Sequence, residues 1–375
     1  MTADEMELRQ LESSGTFGPK GLVQLLWDFS SSNKRLFNGD SISQLCHSAY
    51  CEYYERQWGL TAAHCDGKFV ALKTPEAVNQ LVQELQSNRS RAELLALIQD
   101  ASEENALGEA CENSLNLAFR LLLMLRIGVV KYQFLPRRCL DWNEGSPRDF
   151  VKKHFGEEPV LDFDDVKLPK AFNGWSLKKI GGIEINFTDN LADHLLLVED
   201  DSKVLIFHYA SFLDCQRLKG WVSTSKRDAL YTKISRSEES LFPPGFAEET
   251  LRTLALLFPQ SLVNGSDNSR TSRKSWFRKL CDKRKTCKID ERLGRCGTLH
   301  AEDRQIKGFI FWRDRLIILK QAYDEATPRT LSQFWYDRRN GVQWYTFWVA
   351  ILVLIITTIL SVLQCVEGGF QAWKI

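Results

Sequence analysis

The chain has almost no net charge. Its 49 Lys and Arg against 48 Asp and Glu leave a formal +1, so bulk electrostatics point to no anionic partner. It also lacks the common signatures of catalysis. There is no Gly-x-Ser-x-Gly elbow, no glycine-rich phosphate loop and no kinase signature, so the readings that rest on those motifs are set aside. The six histidines (His47, His64, His154, His194, His208 and His300) form no metallohydrolase motif. The first residues, Met1-Thr2-Ala3-Asp4-Glu5-Met6-Glu7, are acidic and contain no apolar run, so they are not read as a signal peptide. The body is therefore expected in the reducing cytosol, with its 10 cysteines as free thiols. One further absence organises the rest: from Asn340 to Val366 no residue is charged.

The centre of that stretch, Trp344 to Leu363, is almost wholly apolar. A helix needs about 20 such residues to cross a hydrocarbon core of about 30 Å. Residues 344–366 are therefore expected to form one transmembrane helix in contact with the lipid bilayer. Residues 331–343 precede it as a juxtamembrane helix, and residues 367–375 follow as a short lumenal or exterior tail. Arg329, Arg338 and Arg339 lie before the span and only Lys374 after it; excess basic residues mark the cytoplasmic side. Trp344, Tyr345 and Trp348, with Arg338 and Arg339, form the expected membrane-interface set, because amphipathic rings settle at headgroup level. The expectation is a single-pass, tail-anchored protein with a cytosolic body, the endoplasmic reticulum being favoured among endomembranes. Sequons at Asn88, Asn186 and Asn264 would then stay unmodified.

The fold class expected is mainly α: a helical body over residues 1–160, a small α/β subdomain over 161–265, and the C-terminal transmembrane helix. Apolar residues at helical spacing predict helices over Gly21 to Phe29 and Ser41 to Leu60. Thr74-Pro75 opens another, with a cap residue before a proline at the first helical position. Ser90-Arg91-Ala92-Glu93 and Thr330-Leu331-Ser332-Gln333 are capping boxes, in which each side chain satisfies an orphan backbone donor of the other. Asn113 to Arg126 is the most apolar soluble helix; too short to span and carrying Arg120 and Arg126, it is read as the central core helix. After Lys179 the pattern changes. Ile183, Ile185 and Phe187 alternate with polar residues, a short helix is expected over Leu191 to Val198, and Val204 to Phe207 reads as a buried strand. Either a minimal β-α-β crossover or a hairpin-like arrangement fits. Residues 301–330 are expected to hold an amphipathic helix packed on the body, with Trp312, Leu316, Leu319 and Tyr323 inward.

Charge is distributed less evenly than its sum implies. Arg270 to Arg295 holds 11 basic and 3 acidic residues, a net of +8. Residues 266–300 are read as a flexible, exposed basic loop. Beside a membrane, the segment 270–295 would meet anionic lipid headgroups, with Trp276-Phe277 at the interface. Nucleic acid is not expected, because no reading module accompanies the charge.

Two further groups bear on chemistry. Cys281, Cys287, Cys296 and His300 offer four zinc-type ligands within twenty residues. Their spacings are reversed relative to a Cys-Cys-Cys-His finger, so scattered thiols are the plainer reading, a zinc-stabilised binding module the alternative, and no cofactor is expected. Cys46, Cys51, His64 and Cys65 begin like a finger and lack its second histidine. Asp193, His194 and His208 are the only acid–base grouping near a strand and mark where an unrecognised enzyme site would lie.

Several segments taken together carry a likeness. Tyr53-Tyr54-Glu55-Arg56-Gln57-Trp58, Leu241-Phe242-Pro243-Pro244-Gly245, Trp312-Arg313-Asp314-Arg315-Leu316 and Gln343-Trp344-Tyr345-Thr346-Phe347-Trp348 resemble a family of uncharacterised filamentous-fungal proteins that end in one transmembrane helix. The resemblance implies the anchor and a fungal origin, and it implies no activity, cofactor or site residue. The function expected from the sequence is that of a membrane-tethered cytosolic interaction or scaffold protein, with protein partners.

Overall fold

The computed structural model describes residues 41–62, 69–102, 108–128, 139–156, 160–161, 166–224, 240–260, 268–282, 288–328, 330–339 and 341–373. The expected helix at Gly21 to Phe29 lies outside them. Among the described residues the chain is mainly α, with twelve α-helices, one three-stranded sheet and a C-terminal apolar helix.

The first half is built around one helix. Helix α1 is Ser41–Ala62, α2 Pro75–Gln86, α3 Arg91–Ala101 and α4 Gly108–Leu123. Thr74 caps α2 by accepting from the Ala77 amide, and Pro75 occupies the first helical position, where its missing N–H costs nothing. The box opening α3 is complete: Ser90 accepts from the Glu93 amide at 3.4 Å and the Ser90 amide donates to Glu93 at 3.0 Å. Helices α1, α2 and α3 all pack on α4, which is buried around its circumference from Ser114 to Leu123 apart from half-buried Asn116. Helix α5, Pro147–Phe155, starts at a third capping box formed by Ser146 and Asp149.

Helix α6 is Gly174–Lys179, and the sheet follows. Strands β1 (Glu184–Thr188), β2 (Leu196–Val198) and β3 (Lys203–Phe207) are ordered β1-β3-β2. Strand β1 runs parallel to β3 with Ile185 opposite Val204, and β2 runs antiparallel with Leu197 opposite the same residue. The parallel pairing of β1 with β3 is that of the expected crossover but without its helix, and β2 with β3 forms the expected hairpin. The helix expected over Leu191 to Val198 is not formed. Only Leu191–Asp193 makes a 3-10 turn, and the chain then extends. Asn190 sets this course: its side chain accepts from the Ala192 and Arg126 amides, and the second bond ties the turn to the end of α4. Glu199, Asp200 and Asp201 all adopt positive φ to close the hairpin.

Helices α7 (Ala210–Thr224) and α8 (Phe246–Leu257) pack against each other. Gly245 enters α8 at φ 84°, a left-handed conformation that a side chain would resist. Helix α9 is Asn268–Asp282, so the segment read as a basic loop is helical there. The charge count concealed an apolar stripe: Trp276, Phe277, Leu280 and Cys281 pack against the body. Helix α10 is Arg313–Glu325, and all four residues expected on its inner face are buried. Residues of both halves, from Tyr50 to Tyr323, belong to one continuous core. Helices α11 (Leu331–Tyr336) and α12 (Gly341–Trp373) complete the chain.

Candidate functional site: the apolar helix and its collar

Helix α12 contains Trp344–Phe370, 27 residues long and apolar enough to cross a membrane, and none of its most apolar window is buried in the protein. At 1.5 Å per residue it reaches about 40 Å, more than the roughly 30 Å of a hydrocarbon core. It continues past the expected end at Val366. Its hydroxyls are satisfied within the helix: Thr346 donates to the Val342 carbonyl at 2.9 Å, Thr358 to Leu354 at 2.7 Å and Ser361 to Thr357 at 2.8 Å. A solvent without hydrogen-bonding groups requires this arrangement.

The helix joins the body through a collar. Thr330 and Gln333 form the expected capping box of α11. Residues 337–339 are not helical, so α11 and α12 are not one continuous helix. Rings close the corner between them. Phe334 stacks on Phe347 at 4.2 Å and Trp335 meets Trp348 edge-on at 4.9 Å. No residue of α11 is buried, and Leu331 and Trp335, four residues apart on one face, are 68% and 56% exposed. Their i, i+4 spacing was the available sequence signal for a second apolar surface beside the span.

The expected interface residues divide into two groups. Tyr345 is exposed, Trp344 and Trp348 are half-buried in the ring cluster, and the Arg338 guanidinium lies 5.3 Å from the Trp344 ring. Arg339 instead serves the body. It donates to the Tyr323 carbonyl and, at 2.6 Å, to that of Ala326, satisfying carbonyls left open at the end of α10. It also pairs with Asp337 at 2.8 Å. Burial raises the Asp337 pKa, but the hydrogen bonds from Arg339 outweigh it and hold that carboxyl below its usual value. Arg329 lies outside the described residues.

The acid–base grouping is built into the core. His194 and His208 are completely buried. The His194 Nδ1 accepts from the Phe207 amide at 3.2 Å, which leaves the proton on Nε2, 2.7 Å from the Thr253 hydroxyl. Thr253 donates to the Thr250 carbonyl, and the Thr250 hydroxyl accepts from the Trp312 indole at 2.8 Å. Burial, with the Arg315 charge nearby, lowers the His194 pKa to about 3. The ring stays neutral and links β3 to α8. His208 stacks on Tyr209, and its Nδ1 accepts from the Asp290 amide. Its Nε2 lies 3.4 Å from Asp189, which also pairs with Arg56 at 2.8 Å. The two histidines thus sit in separate networks, each linking elements of the core.

Sequence reasoning did not find the charges, buried Glu249 and half-buried Arg315, that hold this region. The Glu249 carboxylate accepts from the Ile310 and Trp312 amides at 2.7 and 2.8 Å, just ahead of α10. Arg315 turns inward to donate to the Ala192 and His194 carbonyls at 2.7 and 2.6 Å. Nothing local distinguishes these residues from surface charges, because their partners are about 60 and 120 residues away in sequence.

The thiol candidates fall only partly within the described residues. Cys287 lies outside the described residues, as do His64 and Cys65, and the side chain of Cys46 is not described. Burial pushes the Cys281 and Cys296 thiols up to about 12, while His300 is exposed. Among the described residues no three His, Cys, Asp or Glu side chains come together as a metal set, and seven cysteines are free thiols. Comparison with protein-family models, curated proteins and solved structures finds no match to this chain.

Proposed function

We propose that the protein is a membrane-tethered interaction or scaffold protein, its body held at a bilayer by α12 and carrying no catalytic site. The observation that carries this reading is the contrast between a body with a continuous core and a 27-residue apolar segment whose most apolar window the body leaves uncovered. The complete burial of His194 and His208, in separate networks, and the hydrogen bonds to both ring nitrogens of His194 support the non-enzymatic reading over a site at Asp193, His194 and His208. Arg338 and Arg339 on the body side of the span favour a cytosolic body and a lumenal C-terminus. An endomembrane such as the endoplasmic reticulum is the proposed residence. Tags at the two termini test the topology: protease added to intact membranes should remove the N-terminal tag and spare the C-terminal one. Proximity labelling from the anchored chain tests the scaffold role. A reproducible set of cytosolic neighbours beyond those of a bare anchor is expected; labelling no different from that anchor contradicts the role.

A further inference from the structure

The basic helix and the collar share one support. Both α9 and α11 pack on α6. The contact is specific: the Arg273 guanidinium lies 4.8 Å from the Trp175 ring, and Trp175 meets Tyr336 of α11 edge-on at 5.2 Å. Trp175, on α6, is therefore a buried bridge between the first turns of α9 and the end of α11. The helix also has a fixed orientation. Phe277 packs on Phe258 at 5.5 Å, and Trp276 and Leu280 face the same core. Lys274, Arg278 and Lys279 are left exposed, with no acidic residue on the helix before Asp282. Lys178 and Lys179 close the adjoining α6 and are half-exposed.

We propose that the outward face of α9 is a cationic platform for anionic lipid headgroups of the leaflet that α12 enters. The proposal rests on the membrane reading of α12 and corrects the expectation made for this segment. The aromatic pair Trp276-Phe277 does not enter the bilayer; it orients the lysines and arginine toward it. Surface potential acts only within about a Debye length, roughly 8 Å at physiological salt. The ring contacts through Trp175 hold α9 and α11 on the same helix, on the side of the body from which α12 departs, whereas a free loop of equal charge would sample all directions.

The test uses the full chain in nanodiscs of phosphatidylcholine, with and without phosphatidylserine, and an amine-acylating reagent read by mass spectrometry. Labelling of Lys274 and Lys279 should fall at least about threefold in the anionic discs and recover in high salt. Arg278→Glu keeps both lysines and should remove roughly half of that protection. Equal labelling in both discs, with the chain inserted, overturns the platform and leaves the anchor standing. A chain that enters neither disc overturns the anchor and the platform with it.

Discussion

Helices α4 and α12 are both rich in apolar residues, and they solve opposite problems. Helix α4 is 16 residues long and buried on nearly all sides. Besides the Ser114 bond to its own Ala110 carbonyl, other elements supply hydrogen bonds to its polar groups. Ser114 accepts from the Ala71 and Leu72 amides, and the Tyr50 and Tyr53 hydroxyls donate to the Leu121 and Arg120 carbonyls at its end. Helix α12 is 33 residues long, leaves its most apolar window unburied beyond the ring cluster at its start, and satisfies its hydroxyls on its own carbonyls. Apolar content is common to both. The difference lies in the added partners: neighbouring elements contribute hydrogen bonds in a protein interior, whereas the helix must rely on itself where the solvent has none to offer.

The sharpest test of this contrast is one substitution made in both helices. Leu115→Ala in α4 should lower the stability of the body by about 2–5 kcal/mol through the cavity it leaves. Leu354→Ala in α12 should leave the thermal unfolding of the body unchanged; equal losses at both sites would mean that α12 packs like a core helix. Next in size, Leu354→Arg should cost about 2.5–3.5 kcal/mol of membrane insertion, read as the inserted fraction in a microsome translation assay. That variant should fold its body normally.

A pH series probes the body alone. The ordinary histidine pKa of 6.5 applies to His194 in the unfolded chain, and the folded value is about 3. Between these limits the unfolded chain holds a proton that the folded one does not, so this group lowers stability as pH falls below 6.5 and stops doing so near 3. The slope should approach about 1.4 kcal/mol per pH unit. Glu249 and Asp290, whose pKas are raised by burial, act in the opposite sense nearer the ordinary carboxylate range. Denaturant titrations of the parent and of His194→Gln isolate the histidine: the variant should be less stable at neutral pH and have a flatter acid limb. A variant with the parent's slope would remove His194 from the account.

The smallest effect is expected at the junction. Arg339→Ala should cost about 1–3 kcal/mol locally by releasing the carbonyls at the end of α10. Hydrogen exchange over residues 321–337 should quicken while exchange in α4 stays slow. Unchanged exchange at the junction would show that the rings of α11 and α12 hold it without the arginine.

Local signals in the sequence carried the fold further than the site. Thr74, Ser90 and Thr330 cap where their spacing predicts, because a cap depends on residues two or three positions away. The stripe of α10 is likewise local. The basic segment was misread because net charge describes its outward face, whereas Trp276, Phe277 and Leu280 set its structure. Leu191 to Val198 was misread because β3 offers a strand partner that the segment's own composition does not reveal. The roles of Glu249, Arg315 and Arg339 depend on carbonyls and amides brought near by the fold, and no spacing encodes them.

Alkaline carbonate extraction of membranes from cells expressing the full chain tests the central claim most directly. A protein whose α12 crosses the bilayer stays with the membrane pellet, and Leu354→Arg moves a large fraction to the supernatant. Release of the unaltered chain into the supernatant would contradict the account, because a spanning helix satisfied within itself has nothing to gain by leaving the lipid.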